Sequence, residues 1–172
     1  DVVYAGMLQY DGDLNLPKRY FLNPPQIKDT LSELLVAHKI RQYAVSETQK
    51  YGHVTYFWNG NKSEKFCEEL ETFCEIPSDN VPFDQRPWMR SAEITDNLIE
   101  AMRSGQYDFI RCNFPNGDMV GHTGNMDAVI CGMEAVDLAL ARLIKVVDEC
   151  GYTLLVTADH GNADEMLEKN KK

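Results

Sequence analysis

No Cys-x-x-Cys pair occurs in these 172 residues, and the five cysteines, Cys67, Cys74, Cys112, Cys131 and Cys150, are odd in number and scattered. That distribution offers neither a disulfide framework nor a thiolate zinc site, and it fits a reducing, cytoplasmic compartment. Basic charge is scarce: 17 Lys and Arg stand against 27 Asp and Glu, a formal net charge of −10. A surface of that sign gains nothing from nucleic acid or an anionic membrane, so neither is expected as a partner. No apolar run approaches a membrane span, and no stretch near the start reads as a secretory leader. The chain opens on Asp1 rather than an initiator Met, so the true N-terminus is expected elsewhere. Internal repeats and low-complexity tracts are also missing. What remains is ordinary: 44% hydrophobic and 26% charged residues, enough chain for one domain with a real core. Acidity alone does not indicate metal, and Lys65 to Glu75 reads as a solvated face.

Alternating elements can be placed along the chain. Asp1 to Pro25, rich in Asp, Gly, Asn and Pro, reads mainly as loop. Ile27, Leu31, Leu34 and Leu35 recur at helical spacing, predicting a helix from Gln26 to about His38. Arg41 to Ser46 and His53 to Trp58 read as strands, with the turn Asn59-Gly60-Asn61 after the second. A helix is expected from Ser63 to Phe73, then an extended connector from Ile76 to Arg90 with three prolines. Ser91 is the expected N-cap of a helix ending at Gly105, followed by a buried strand over Tyr107 to Phe114. Gly121 to Gly124 reads as loop. A long helix then carries Ile130, Met133, Val136, Leu140, Leu143 and Val147 on one stripe and stops at Gly151. Tyr152 to Thr157 is an apolar run expected as a strand, and Lys169 to Lys172 closes the chain as a polar tail. The pattern is α/β, a largely parallel sheet flanked by helices. In such sheets, ligands gather at the carboxyl ends of the strands.

Two polar clusters fall at such ends. In Asn113 to Gly124, Asp118 and His122 lie four positions apart among small and apolar residues, so both side chains can converge on one cation. A carboxylate with a neutral imidazole suits Mn²⁺, Zn²⁺ or Fe²⁺ better than Ca²⁺. The plainer reading is that Asp118 caps a helix and His122 packs beneath it. In Thr157 to Asn162, Asp159 and His160 stand side by side directly after an apolar run. Placing both there is costly if nothing binds them. Here the plainer reading is an N-cap and a surface histidine. Two such pairs together favour metal binding, and they supply four candidate ligands, fewer than a two-metal site needs. A third feature is Lys50, in the loop expected between two strands, from which its ammonium could reach a phosphate. On sequence alone a solvated lysine is the simpler reading. Glu47 reads as a partner for Lys50, His53 as structural, and Tyr56, Phe57 and Trp58 as core and rim of the sheet.

The stretches SETQKYGHVTYFWNGN (Ser46 to Asn61), NFPNGDMVGHTGN (Asn113 to Asn125) and TADHGNADEM (Thr157 to Met166) resemble blocks of the cofactor-independent phosphoglycerate mutases, in that family's order and near its spacing. The connector IPSDNVPFDQRPWM resembles the version in plant and protist members. The resemblance implies an alkaline-phosphatase-like fold. It also implies interconversion of 3-phosphoglycerate and 2-phosphoglycerate in glycolysis, through a phosphoserine intermediate. Two Mn²⁺ ions are implied, with Mg, Co or Zn as alternatives, and no 2,3-bisphosphoglycerate. Carried over by position, Asp118 and His122 match ligands of one manganese, Asp159 and His160 match ligands of the other, and Lys50 matches the lysine that holds the phosphoryl group. A monomeric parent acting on small-molecule phosphoglycerate is implied.

The departures carry equal weight. No block matches the family's nucleophilic serine or the aspartate that shares its metal, so no catalytic nucleophile is assigned here. The arginine-rich substrate-gripping domain and a later His-Thr block are also unmatched. The expectation is that residues 1–172 form the C-terminal part of a metal-binding phosphatase domain, a fragment that is inactive alone. The alternatives are a phosphatase or phosphopentomutase of the same superfamily, against which the lysine block argues, or a non-catalytic binding module.

Overall fold

The computed structural model describes residues 2–9, 14–23 and 27–167. Its centre is a parallel sheet of three strands, β3 (Gln42–Glu47), β4 (Glu71–Ile76) and β5 (Phe109–Cys112), in the order β4-β3-β5. Every residue of β3 is buried, as a central strand covered on both faces requires. Parallel neighbours cannot be joined by a hairpin, so helices make the crossovers. α2 (Thr48–Val54) follows β3, and α3 (Ser91–Ser104) lies between β4 and β5. α4 (Asn116–Gly121) and α5 (Met126–Cys150) come after β5, and α1 (Leu31–Ala37) precedes β3. Tyr43 and Val45 of β3 join Ile94 and Leu98 of α3 and Leu143 and Val146 of α5 in one core. Truncating a leucine buried like Leu98 costs about 2–5 kcal/mol.

Local chemistry fixes several boundaries. Thr30 caps α1 through its side chain, and Glu33 returns a bond to the Thr30 amide, a reciprocal pair that sets the first turn. Gly105 and Gly151 end α3 and α5 with left-handed φ of 62° and 72°, where a β-carbon is unfavourable. Ser91 proves to be the first helical residue of α3, with Arg90 at the cap position.

The structure departs from the sequence reading at five places. The opening holds two short strands, β1 (Gly6–Leu8) and β2 (Tyr20–Leu22), paired in parallel. Gln26 and the Lys169 to Lys172 tail lie outside the described residues, and α1 begins only at Leu31. His53 to Trp58 is no strand: α2 runs through its first two residues. Turns then carry the chain back, with Phe57 N–H on Gly52 O and Asn59 N–H on Thr55 O. The β-propensity of Val-Thr-Tyr-Phe-Trp yields there to the need for a crossover after β3. Ser63 to Phe73 is turn and then strand, because Glu71 accepts from the Phe66 and Cys67 amides and closes a tight loop before β4. Asn116 to Gly121 is helical, which sets Asp118 and His122 one turn apart.

The fifth departure is the largest. Tyr152 to Thr157 belongs to no helix or strand among the described residues, and Leu155 and Val156 are 87% and 67% exposed. The run has β-forming residues but no ladder partner. The α5 stripe divides accordingly. Leu143 and Val147 are buried, whereas Ile130 and Met133 are exposed. Met133, Val136 and Leu140 line an open groove of about 880 Å³ that also takes in Leu154 to Val156.

Candidate functional site

β3 and β5 run parallel, so the segments after their carboxyl ends meet at one end of the sheet. After β3, α2 carries Lys50, whose side chain is 4% exposed. After β5 come Asn113 and then α4 with Asp118. The 152–158 run delivers Asp159 and His160 to the same place. Asp118 and Lys50 are 2.7 Å apart, Oδ2 to Nζ, while Asp159 Oδ2 is 3.7 Å from Nζ. His160 Nε2 is 3.2 Å from Nζ, 3.7 Å from Asp118 and 3.9 Å from Asp159. His122 Nε2 reaches Asp118 Oδ1 at 3.1 Å, across one turn of the chain. Lys50, Asp118, Asp159 and His160 therefore converge, and His122, 69% exposed, joins them through Asp118.

Two asparagines cross-brace the pairs, and the sequence reading gave them no role. Asn162, from the second motif, donates to Asp118 Oδ1 at 2.9 Å, and Asn113, from the first, donates to Asp159 Oδ2 at 3.2 Å. Each aspartate is thus oriented by an amide from the other's segment. Gly121 makes one of these possible: a β-carbon there would lie 2.6 Å from Asn162 Oδ1. The available signal was an Asn beside each Asp–His pair.

Charge is concentrated at this point. Burial pushes the Asp118 carboxyl up, but hydrogen bonds from Lys50 and Asn162 outweigh it and hold it down at about 2. Asp159 follows the same pattern: burial raises it, and the charges of Lys50 and His160 bring it below the usual carboxylate range. His53 sits on α2 near these groups, its ring 5.2 Å from Phe57, and burial together with the Lys50 charge lowers its pKa. Glu47 does not pair with Lys50. Its carboxylate accepts from Ser78 Oγ at 2.7 Å and the Arg90 amide at 2.9 Å. Burial raises its pKa, with those hydrogen bonds opposing. Of the aromatic trio, Phe57 is 56% exposed, and Trp58 covers the guanidinium of Arg111.

Among the described residues, no group of three or more His, Cys, Asp or Glu side chains is arranged to hold a metal ion. The donors nevertheless suit one. Two carboxylates and the His160 imidazole lie 2.7–3.7 Å from the Lys50 ammonium, His122 adds a second imidazole beside Asp118, and mixed oxygen and nitrogen donors match a divalent transition metal. Among the described residues, no helix is long and apolar enough to cross a membrane.

The family model described as Metalloenzyme superfamily matches residues 9–170. The chain is 56% identical over 171 residues to the 2,3-bisphosphoglycerate-independent phosphoglycerate mutase of Trypanosoma brucei brucei, covering 99% of this chain and 31% of that protein. It is 54% identical over 172 residues to a probable enzyme of the same name from Leptospira interrogans, covering 100% and 31%. A crystal structure of Leishmania mexicana phosphoglycerate mutase at low cobalt concentration superposes with a TM-score of 0.92 at 53% identity, over 98% of this chain and 31% of that one. The chain thus spans about a third of the length of these relatives.

Proposed function

The chain belongs to the metalloenzyme superfamily, and from that premise we propose that it forms part of a phosphoglycerate mutase that interconverts 3-phosphoglycerate and 2-phosphoglycerate in glycolysis without 2,3-bisphosphoglycerate. The names of its relatives support this reading, as does the convergence of Lys50 with Asp118, Asp159 and His160. In this reading residues 1–172 are the C-terminal part of a metal-binding phosphatase domain. The parent is a monomer that takes small-molecule phosphoglycerate, and glycolysis assigns its work to the cytoplasm.

Asp118 and His122 would hold one divalent ion and Asp159 and His160 the other, manganese being the first candidate. Such ions supply electrophilic stabilisation of phosphoryl oxygens. The chain's own contributions are positional and electrostatic. Lys50, nearly buried, offers a point charge to the phosphoryl group, and in that setting the charge is worth more than in water. Asn113 and Asn162 hold the two carboxylates in their ligand orientation. Asp118, held at about 2, stays ionised at neutral pH and so remains an acceptor throughout. The nucleophilic serine implied by the resemblance is not assigned in this chain, so the 172 residues alone are expected to show no turnover.

The observation that carries the proposal is the meeting of Asp118, Asp159 and His160 on Lys50. An enolase-coupled assay on the complete protein is expected to show mutase activity with no added 2,3-bisphosphoglycerate. A strict requirement for that compound would overturn the reading.

A further inference from the structure

Arg111 belongs to neither Asp–His motif, yet it is a cation only 7% exposed. It lies on β5 opposite Ala44 of β3. Its Nε donates to the Val54 carbonyl at 2.9 Å and its Nη1 to Gln42 Oε1 at 3.0 Å. The guanidinium carbon lies 5.2 Å from the ring centre of Trp58 and 5.6 Å from that of Phe73, a spacing that favours a cation over an aromatic face. Burial pushes the group down to about 10, with the charge of Glu71 opposing, so it remains protonated at neutral pH. A buried charge of this kind is costly, and the bonds it makes show where that cost is offset.

Val54 is the last residue of α2, so its carbonyl is among those a helix end leaves without an internal donor. That end also carries the negative pole of the helix dipole. α2 has seven residues and holds Gly52 in its interior, too little to be stable by itself. Its placement therefore depends on what grips its ends. At the amino end, Glu47 is held by Ser78 and the Arg90 amide, and Thr48 Oγ1 donates to Glu75 at 2.7 Å. At the carboxyl end the grip is Arg111. Between them, one turn before Val54, stands Lys50 with Nζ 2.7 Å from Asp118.

We propose that Arg111 is a positioning residue for Lys50: it ties the carboxyl end of α2 to β3 and β5 and so fixes where the ammonium meets Asp118 and Asp159. The kinetic consequence rests on the phosphoryl-holding role of Lys50 given above; the geometric claim does not.

The test uses the complete protein with Arg111→Met and Arg111→Lys, and Leu98→Ala as a variant that loosens the core without touching α2. Steady-state kinetics are taken at a temperature where all are folded, together with the NMR resonance of the Lys50 side-chain amine. Arg111→Met is expected to lower kcat per folded molecule about 10- to 100-fold, as a displaced catalytic group does, with a smaller change in KM. Arg111→Lys, which keeps the charge, should recover part of the loss. The Lys50 resonance should move in Arg111→Met and stay in place in Leu98→Ala. A kcat within about twofold of the parent, together with an unmoved resonance, would overturn the proposal. If the parent shows no mutase activity, the functional reading fails separately, and the resonance decides the geometric claim alone. If Arg111→Met does not fold, Arg111→Lys against Leu98→Ala gives the same comparison.

Discussion

Asp118 and His122 are carried by α4 and its C-cap, where Val120 and Asn116 are fully buried and the Asn116 amide donates to Pro87 O at 2.8 Å. Asp159 and His160 follow an irregular run whose Leu155 is 87% exposed and which pairs with no strand among the described residues. The first pair is therefore held by its own packing, and the second is held chiefly through the first. Lys50 and Asn113 reach Asp159 from the well-packed side, and Asn162 reaches back to Asp118. Within these 172 residues, about a third of the length of the relatives, half of this site is built into a core. The other half is tied on by polar contacts at the site itself, so the site and the local structure there are expected to stabilise each other.

Removing the link between the halves should have the largest effect. Lys50→Met in the complete protein is expected to lower kcat about 10²- to 10³-fold, the usual cost of losing one preorganised charge at a phosphoryl group. Enolase-coupled kinetics will show it, and near-normal turnover would mean that the pairs do not need the bridge. A smaller effect should appear in stability. In the 172-residue chain itself, Val120→Ala, in the packed half, should cost about 1–3 kcal/mol in urea unfolding, whereas Leu155→Ala, in the open half, should stay within about 0.5 kcal/mol. Equal losses at the two positions would erase that contrast.

The smallest effect is expected away from both halves, where Arg41 meets Asp108 at 2.9 Å just before β3 and β5 begin. The Arg41 side-chain hydrogen bond, ahead of its charge, holds Asp108 at about 2 against an ordinary 3.8. A carboxyl depressed in the folded state adds stability above its unfolded pKa and loses it as pH falls through the folded one. Asp108→Asn should therefore lower Tm at pH 7 by at most about 3 °C, as for an exposed pair. The difference should close between pH 4 and pH 2. A gap that persists at pH 2 would assign it to something other than this ion pair.

The same contrast explains what the sequence disclosed. The residues of the site were legible because a strand end followed by Asp and His is a local pattern, and Lys50 emerged from the wording of its block. The parallel sheet was legible in the alternation of elements, and β3, β5, α3 and α5 fell close to their expected places. Glu47 and Arg111 were not legible, because each acts through a partner distant in sequence: Ser78 and Arg90 for one, Val54 for the other. The two misread segments, His53 to Trp58 and Ser63 to Phe73, were decided by tertiary demands, namely a crossover after β3 and the loop closed by Glu71. Tyr152 to Thr157 reads as a strand from composition, but a strand also requires a neighbour, and composition cannot supply one.

Metal analysis of the complete protein, loaded with Mn²⁺ and freed of excess by gel filtration, tests the convergence of the two pairs most directly. The parent should retain about two ions per molecule, Asp118→Asn and Asp159→Asn should each retain fewer, and the double variant fewer still. A double variant that keeps its full complement of metal would contradict the assignment of these residues as ligands.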